Sequence, residues 1–193
     1  MANPSVANVV AALPVVTGGV SASALGTALP TSLSTALNAS FKALGFVGDA
    51  GLSNTVTRTT DNTKAWGGNT VATIQSDYSD VYTFTFLETL NSDVAKTVWG
   101  DANVTVTPAT STTGTLLAIL HNVTPVVAKS FVFDMFSGSA KRRIVVPIGN
   151  LALSGDVTYV HSAIVSYPVT VTALPDSSGN TAYEYTDDGI HTP

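Results

Sequence analysis

The chain contains no cysteine. Disulfides, catalytic thiolates and cysteine-ligated zinc are therefore excluded, and the fold must be held by packing or by partners. Charge is also scarce. Only 11% of the residues are charged, with 8 Lys+Arg against 13 Asp+Glu and a formal net charge of −5. A protein that clamps nucleic acid through its phosphates needs clustered cations. An acidic surface repels DNA and suits a conduit better than a clamp. No stretch approaches the roughly 20 apolar residues of a membrane span; the best, Val9 to Val16, is short and broken by Pro14. The small-residue stretch Ser21 to Gly26 is faintly like a cleavage site. However, no Lys or Arg precedes Lys42, so the N-terminus reads as mature.

What is present is β-forming. The 193 residues are 45% hydrophobic and include 28 Thr and 25 Val, β-branched side chains suited to a pleated surface. The expected class is mainly β: a two-sheet β-sandwich or flattened barrel with one flanking helix over about residues 91–100. An extended N-terminal arm and a long inter-strand loop complete it. The expected organisation is an uncharged arm over 1–40 starting into a short helix, a β-sandwich domain over 41–187, and a short tail over 188–193. The arm is better suited to lying on protein than to solubilising the chain.

"STALNASFKAL" (Ser34 to Leu44) combines a Ser cap with apolar residues at helical spacing, which predicts a short helix. "DVYTFTFLETL" (Asp80 to Leu90) is the clearest strand, with Tyr82, Phe84 and Phe86 on one face and Val81, Thr83, Thr85 and Leu87 on the other. "NSDVAKTVWG" (Asn91 to Gly100) predicts a helix capped by Asn91 or Ser92 and stopped by Gly100. Further strands are expected in "LSNTVTRTT" (Leu52 to Thr60, alternating with Thr on one face), "NVTVT", "GTLLAILHN", "KSFVFDMF", "RIVVP" and the run from Gly149 to Asp176, about eight in all. Pro168 in the last of these implies an edge, a bulge or an N–H facing away from the ladder.

Catalytic patterns are missing. His121, His161 and His191 have no metal-ligand spacing, and His161 reads as a core or interface histidine. There is no nucleophile elbow, Walker loop or dinucleotide fingerprint, and "DSSGN" lacks the ligand alternation of a calcium loop. The close carboxylate pairs Asp77/Asp80 and Asp187/Asp188 fall in expected turns and read as surface acids. Lys141 to Arg143 reads as a solvated hairpin tip or a patch that meets acids on a neighbour. Sequons begin at Asn38, Asn103 and Asn122 and matter only in a glycosylating compartment. No enzyme activity, cofactor or metal is expected.

One feature stands apart. Trp66 and two glycines interrupt a polar stretch of about ten residues from Thr57, longer than an ordinary hairpin loop. Trp66 could fold back onto its own sheet. Alternatively, a large aromatic at a loop tip anchors a protein interface, and flanking glycines allow close backbone approach. Lys64, Ala65, Trp66, Gly67 and Gly68 are on that ground the candidate inter-subunit contact.

"LGFVGDAGLSNTVTRTTDNTKAWGGNTVATIQSDYSDVYTFTFLET", followed by a helix ending in "VWG", resembles the major tail tube proteins of long-tailed siphoviruses that infect actinobacteria. "RIVVPIGNLALSGDVTYVHSAIVSYPVTVTALPD" resembles the closing hairpin of the same family. The two cover roughly half the chain. Pro168 and the Thr/Ser run from Thr105 to Thr115 depart from the pattern. The resemblance implies a tail tube fold that self-assembles into hexameric rings, whose inner sheets join around a lumen and whose rings stack. It implies as partners the tape measure protein inside the tube and the tail terminator and distal tail or baseplate proteins at its ends. DNA would transit without specific binding and no membrane would be involved. The place would be the virion, after assembly in the host cytoplasm. Thr55, Thr57, Thr83 and Thr85 become candidate lumen-facing positions. A β-sandwich binding module displayed at a surface, such as an adhesin or carbohydrate-binding domain, is the alternative from another class.

Overall fold

A computed structural model describes residues 9–15 and 18–190. His191 lies outside the described residues. The elements in chain order are β1 (Leu13–Pro14), β2 (Val20–Ala24), β3 (Lys42–Ala43), β4 (Ser53–Lys64), β5 (Thr70–Phe86), α1 (Ser92–Trp99), β6 (Val104–Thr107), β7 (Leu116–Ile119), β8 (Lys129–Ser137), β9 (Ala140–Leu153), β10 (Tyr167–Leu174) and β11 (Tyr183–Asp187). A nine-stranded sheet runs β3-β2-β8-β9-β10-β5-β4, with β1 added to β8 and β11 to β9; β6 and β7 form a second, two-stranded sheet. The chain is mainly β with one α-helix among the described residues, as expected. The large sheet does not close into a barrel, because β3 and β4 end the strand order without meeting.

The sandwich arises because β9 serves two wings. Its first half pairs with β8 and β11, and its second half, Ile148 to Leu153, pairs with β10. The sheet turns over on itself between these halves. Phe131 and Phe133 of β8 consequently face Tyr82, Phe84 and Phe86 of β5 across one core. Phe133 stacks on Tyr82 at 5.4 Å and meets Phe84 edge-on at 5.7 Å, the offset and T-shaped geometries that aromatic rings prefer. Phe86, Phe131 and Phe133 are fully buried, each contributing about 1.5–3 kcal/mol over exposure. Gly149 stands where the wings close together: a Cβ there would lie 2.7 Å from both Phe131 and Val171.

The helix obeys its sequence. The Asn91 side chain accepts from Asp93 N at 3.0 Å, and Gly100, at φ +92°, ends α1 by donating to Lys96 O. Val94 and Val98, one turn apart, enter the core. Pro168 is accommodated at the start of β10. It stands opposite Thr85, whose carbonyl is already taken by Gly48 N, while its own carbonyl accepts from Ser154 N at 2.9 Å.

Four expectations fail within the body of the fold. No helix forms in Ser34 to Leu44, which bends across the outer face of β8, β9 and β11. Leu29, Leu37 and Phe41 pack there on Val132, Val145, Tyr183 and Tyr185. Local side-chain bonds and the demands of that face override the helical spacing. Ser32 Oγ accepts from Thr35 N, and the Ser32 and Thr35 carbonyls are both taken by Arg143 Nη1. The same bonds correct the reading of Lys141 to Arg143. Lys141 and Arg142 are exposed, but Arg143 alternates inward beside Val145 and is 9% exposed. Thirdly, Asp77 and Asp80 lie in β5 rather than a turn, and Asp80 is buried. Finally, Ser154 to Ser166 is an irregular connection, so His161 is exposed and not core. Apolar alternation there supplies no partner strand for the backbone.

Candidate assembly surfaces

The strand expected over Leu52 to Thr60 is present, and it runs on through the polar stretch from Thr57 that was expected as a loop. β4 pairs with β5 from Ser53↔Thr83 to Lys64↔Thr70, with irregularities after Thr59 and Thr63. The connection is only Ala65 to Asn69, closed by Ala65 N to Asn69 O at 2.8 Å and Gly68 N to Ala65 O at 3.0 Å. Gly67 and Gly68 adopt φ of +112° and +92°, a region that side chains with a Cβ avoid. This explains the glycine pair. β-Branched residues satisfy a ladder even where they are polar, which is why hydrophobic periodicity did not reveal how far the strands extend.

The result is a hairpin that leaves the body. All of β4, and β5 as far as Tyr78, is exposed. Trp66, at the tip, is fully exposed, at 107% of the reference area, and Val56, Val71 and Ile74 are exposed on the arms. Trp66 does not fold back onto its own sheet. Lys64, Ala65, Trp66, Gly67 and Gly68 are thus brought together at one projecting point. An isolated two-stranded hairpin is marginal in water, and this one is exposed along its whole outer length.

A buried carboxylate fixes the base of the hairpin. Asp80 accepts from Asn54 Nδ2 of β4 at 2.7 Å and from Thr181 Oγ1 at 2.9 Å. Just outside it, the Arg58 guanidinium lies over the Tyr78 ring at 4.8 Å. Burial, and then the Asp80 charge, push the Tyr82 phenol well above its usual range. Thr181 belongs to the β10–β11 connection. There Asp176 accepts from Tyr183 Oη at 2.6 Å and from Asn180 N at 3.1 Å, which holds its carboxyl below the usual range. Sequence reading missed Asp80; its alternation in step with Tyr82, Phe84 and Phe86 was the available signal.

Thr55, Thr57, Thr83 and Thr85 share one face of the sheet, opposite the Tyr82 face. Thr170 and Thr172 of β10 and Asn150 and Ala152 of β9 continue it across the ladder. Thr55, Thr57 and Thr83 are exposed, and Thr85 is half-buried beneath the Gly48 turn. Over Ser53–Thr57, Ser79–Thr85, Ile148–Ala152 and Pro168–Leu174 this face presents no charged side chain.

The opposite end of the β5–β10 ladder is built differently. β5 runs from the tip to Phe86 beside Tyr167, and the chain then enters α1. There Trp99 lies 4.1 Å from the His121 ring and meets Tyr167 edge-on at 6.1 Å. Asn103 and Asn122 pair at 2.7 Å, and Asn103 also donates to Trp99 O. A cleft of about 400 Å³ opens between Trp99, Leu120, His121, Val126 and Leu153. Among the described residues, Trp99 Nε1 is the one buried side-chain polar atom without a partner, at a cost of about 1–3 kcal/mol.

A family model described as phage tail tube protein matches residues 1–192. The chain belongs to the phage tail tube protein family. Family membership makes it a structural component of a virion, in agreement with the resemblance carried by its motifs. No curated protein matches the chain. No helix among the described residues is long and apolar enough to cross a membrane.

Proposed function

We propose that this tail tube protein self-assembles into hexameric rings that stack into the tube of a long, non-contractile siphovirus tail. The observation that carries the reading is the β4–β5 hairpin. Two exposed strands ending in a bare Trp66 have no cover among the described residues of their own chain, and a stacked neighbour of the same kind supplies it. A heterologous contact of this sort, repeated along an axis, builds a filament.

The threonine face containing Thr55, Thr57, Thr83 and Thr85 is the lumen wall in this reading. Neutral hydroxyls on an acidic protein give DNA nothing to bind and let it pass. The tube encloses the tape measure protein before ejection, meets the tail terminator and the distal tail or baseplate proteins at its ends, and is assembled in the host cytoplasm. The free edge of β4 is removed by ring closure.

Negative-stain electron microscopy at high protein concentration, beside size-exclusion light scattering, tests the reading. Stacked rings with an open channel are expected. A monodisperse monomer that also fails to add to isolated tail ends overturns it.

A further inference from the structure

The hairpin tip and the Trp99 cleft lie at opposite ends of the same β5–β10 ladder, and we infer that the cleft is the socket for the tip: Trp66 of one copy seats against Trp99 and His121 of the next. This rests on the stacking reading above and adds the receiving surface and its residues.

Three observations lead to it. The first is direction. β5 carries the tip at its start, and its end at Phe86 leads into α1 and the cleft. A knob at one pole and a hole at the other make the simplest head-to-tail contact, which repeats without closing on itself. The second is chemistry. The cleft walls combine Trp99, Leu120, Val126 and Leu153 with the neutral amides of Asn103 and Asn122 and hold no Lys, Arg, Asp or Glu, a lining that a desolvated tryptophan anchor takes. At about 400 Å³ the cleft has room for an indole with part of its glycine turn. Leu120, Val123 and Val127 beside it are 62%, 99% and 74% exposed, an apolar rim that also lacks cover. The third is the partnerless Trp99 Nε1. Nε1 is sealed from solvent, so a carbonyl of the glycine-bearing Ala65 to Gly68 turn reaches it only as the cleft opens around the incoming tip. A depression of about 530 Å³ has Lys141, Glu184 and Asp187 in its lining and suits an indole less well. The groove bounded by Met135, Ser137, Lys141 and Asp187 is another. Its lining includes Lys141, Asp187 and Asp188, which makes it a poorer seat for an indole.

The absence of cysteine permits a clean test. Ala65→Cys at the tip and Thr124→Cys at the cleft, both exposed positions, are placed on one full-length chain. Assembly is followed by mild oxidation, non-reducing electrophoresis and electron microscopy. The expected result is a ladder of covalent oligomers that collapses to monomer on reduction, with either single variant stopping at the dimer or below. Tubes without a ladder overturn the socket and leave stacking standing, and neither tubes nor ladder overturns both. A ladder from Ala65→Cys with Ser137→Cys instead places the tip in the other groove and also overturns the socket. As a second measurement, Trp66→Phe leaves Trp99 as the sole tryptophan. Its emission is expected to shift to the blue on assembly, and an unchanged spectrum in formed tubes counts against the socket.

Discussion

Arg143 grips Asp134 with two parallel bonds, Nε to Oδ1 at 2.6 Å and Nη2 to Oδ2 at 3.2 Å, and its remaining Nη1 holds the Ser32 and Thr35 carbonyls. The side chains are 11% and 17% exposed. One guanidinium thus joins β8 and β9 to the segment that covers their outer face. Removing one partner of such a buried pair leaves an uncompensated charge and costs about 3–5 kcal/mol. Arg143→Leu is expected to lose stability of that order in denaturant titration and to open Ser32 to Phe41 to proteolysis. Arg143→Lys keeps the charge but loses the fork, so a smaller loss is expected. An Arg143→Leu variant as stable as the parent sinks this account.

Gly149 answers to packing rather than backbone freedom. An added methyl meets Phe131 and Val171 at 2.7 Å between two wings of one core. Gly149→Ala is expected to destabilise by about 1–3 kcal/mol through overpacking, seen as a lower denaturation midpoint with an unchanged m-value. A neutral or stabilising result shows that the wings separate more easily than their aromatic contacts imply.

These two residues show what the sequence discloses. The Tyr82, Phe84 and Phe86 face and the Asn91-to-Gly100 helix were legible because a local period or cap dictated them. Arg143 and Asp80 were not. A charged residue inside a strand looks like any surface charge until a carboxylate or amide from a distant segment is placed against it. The threonine alternation made the root of the hairpin legible as strand over Leu52 to Thr60, but its outer part was misread as loop for a related reason: polar residues there satisfy a ladder without an apolar face. The five tip residues and four threonines chosen from sequence do lie together, at the tip and on one face. The cleft around Trp99 was invisible because it joins α1, the segment after β7 and the end of β9 only in space.

Asp80 is expected to control the hairpin's root. Asp80→Ala removes an acceptor shared by Asn54 and Thr181, a loss of about 2 kcal/mol, since charged acceptors contribute more than neutral ones. Amide exchange in Ser53 to Thr57 is expected to quicken while exchange in β8 stays slow. Uniform quickening across both regions shows that Asp80 supports the whole fold instead.

The buried Tyr82 phenol gives an alkaline signature. Its folded value is raised by burial and by the Asp80 charge. The neutral group's contribution is therefore fully present below the ordinary tyrosine range near 10 and is lost as pH rises through the raised value. The parent is expected to lose stability above about pH 10 more steeply than Tyr82→Phe, which cannot ionise. Parallel pH profiles for the two exclude Tyr82 as the source.

Trp66 separates folding from assembly. Its side chain is fully exposed among the described residues, so Trp66→Ala is expected to leave thermal unfolding of the monomer within about 0.5 kcal/mol of the parent, as surface substitutions do. If the tip is an anchor desolvated by a neighbour, the same change costs about 2 kcal/mol or more per contact. The concentration needed for tubes then rises at least about thirtyfold. Sedimentation of tubes across a dilution series measures it, with circular dichroism on the soluble fraction as the control for folding. A variant that polymerises at the parental concentration leaves Trp66 without a role in stacking. One that fails to fold contradicts the hairpin's independence from the core.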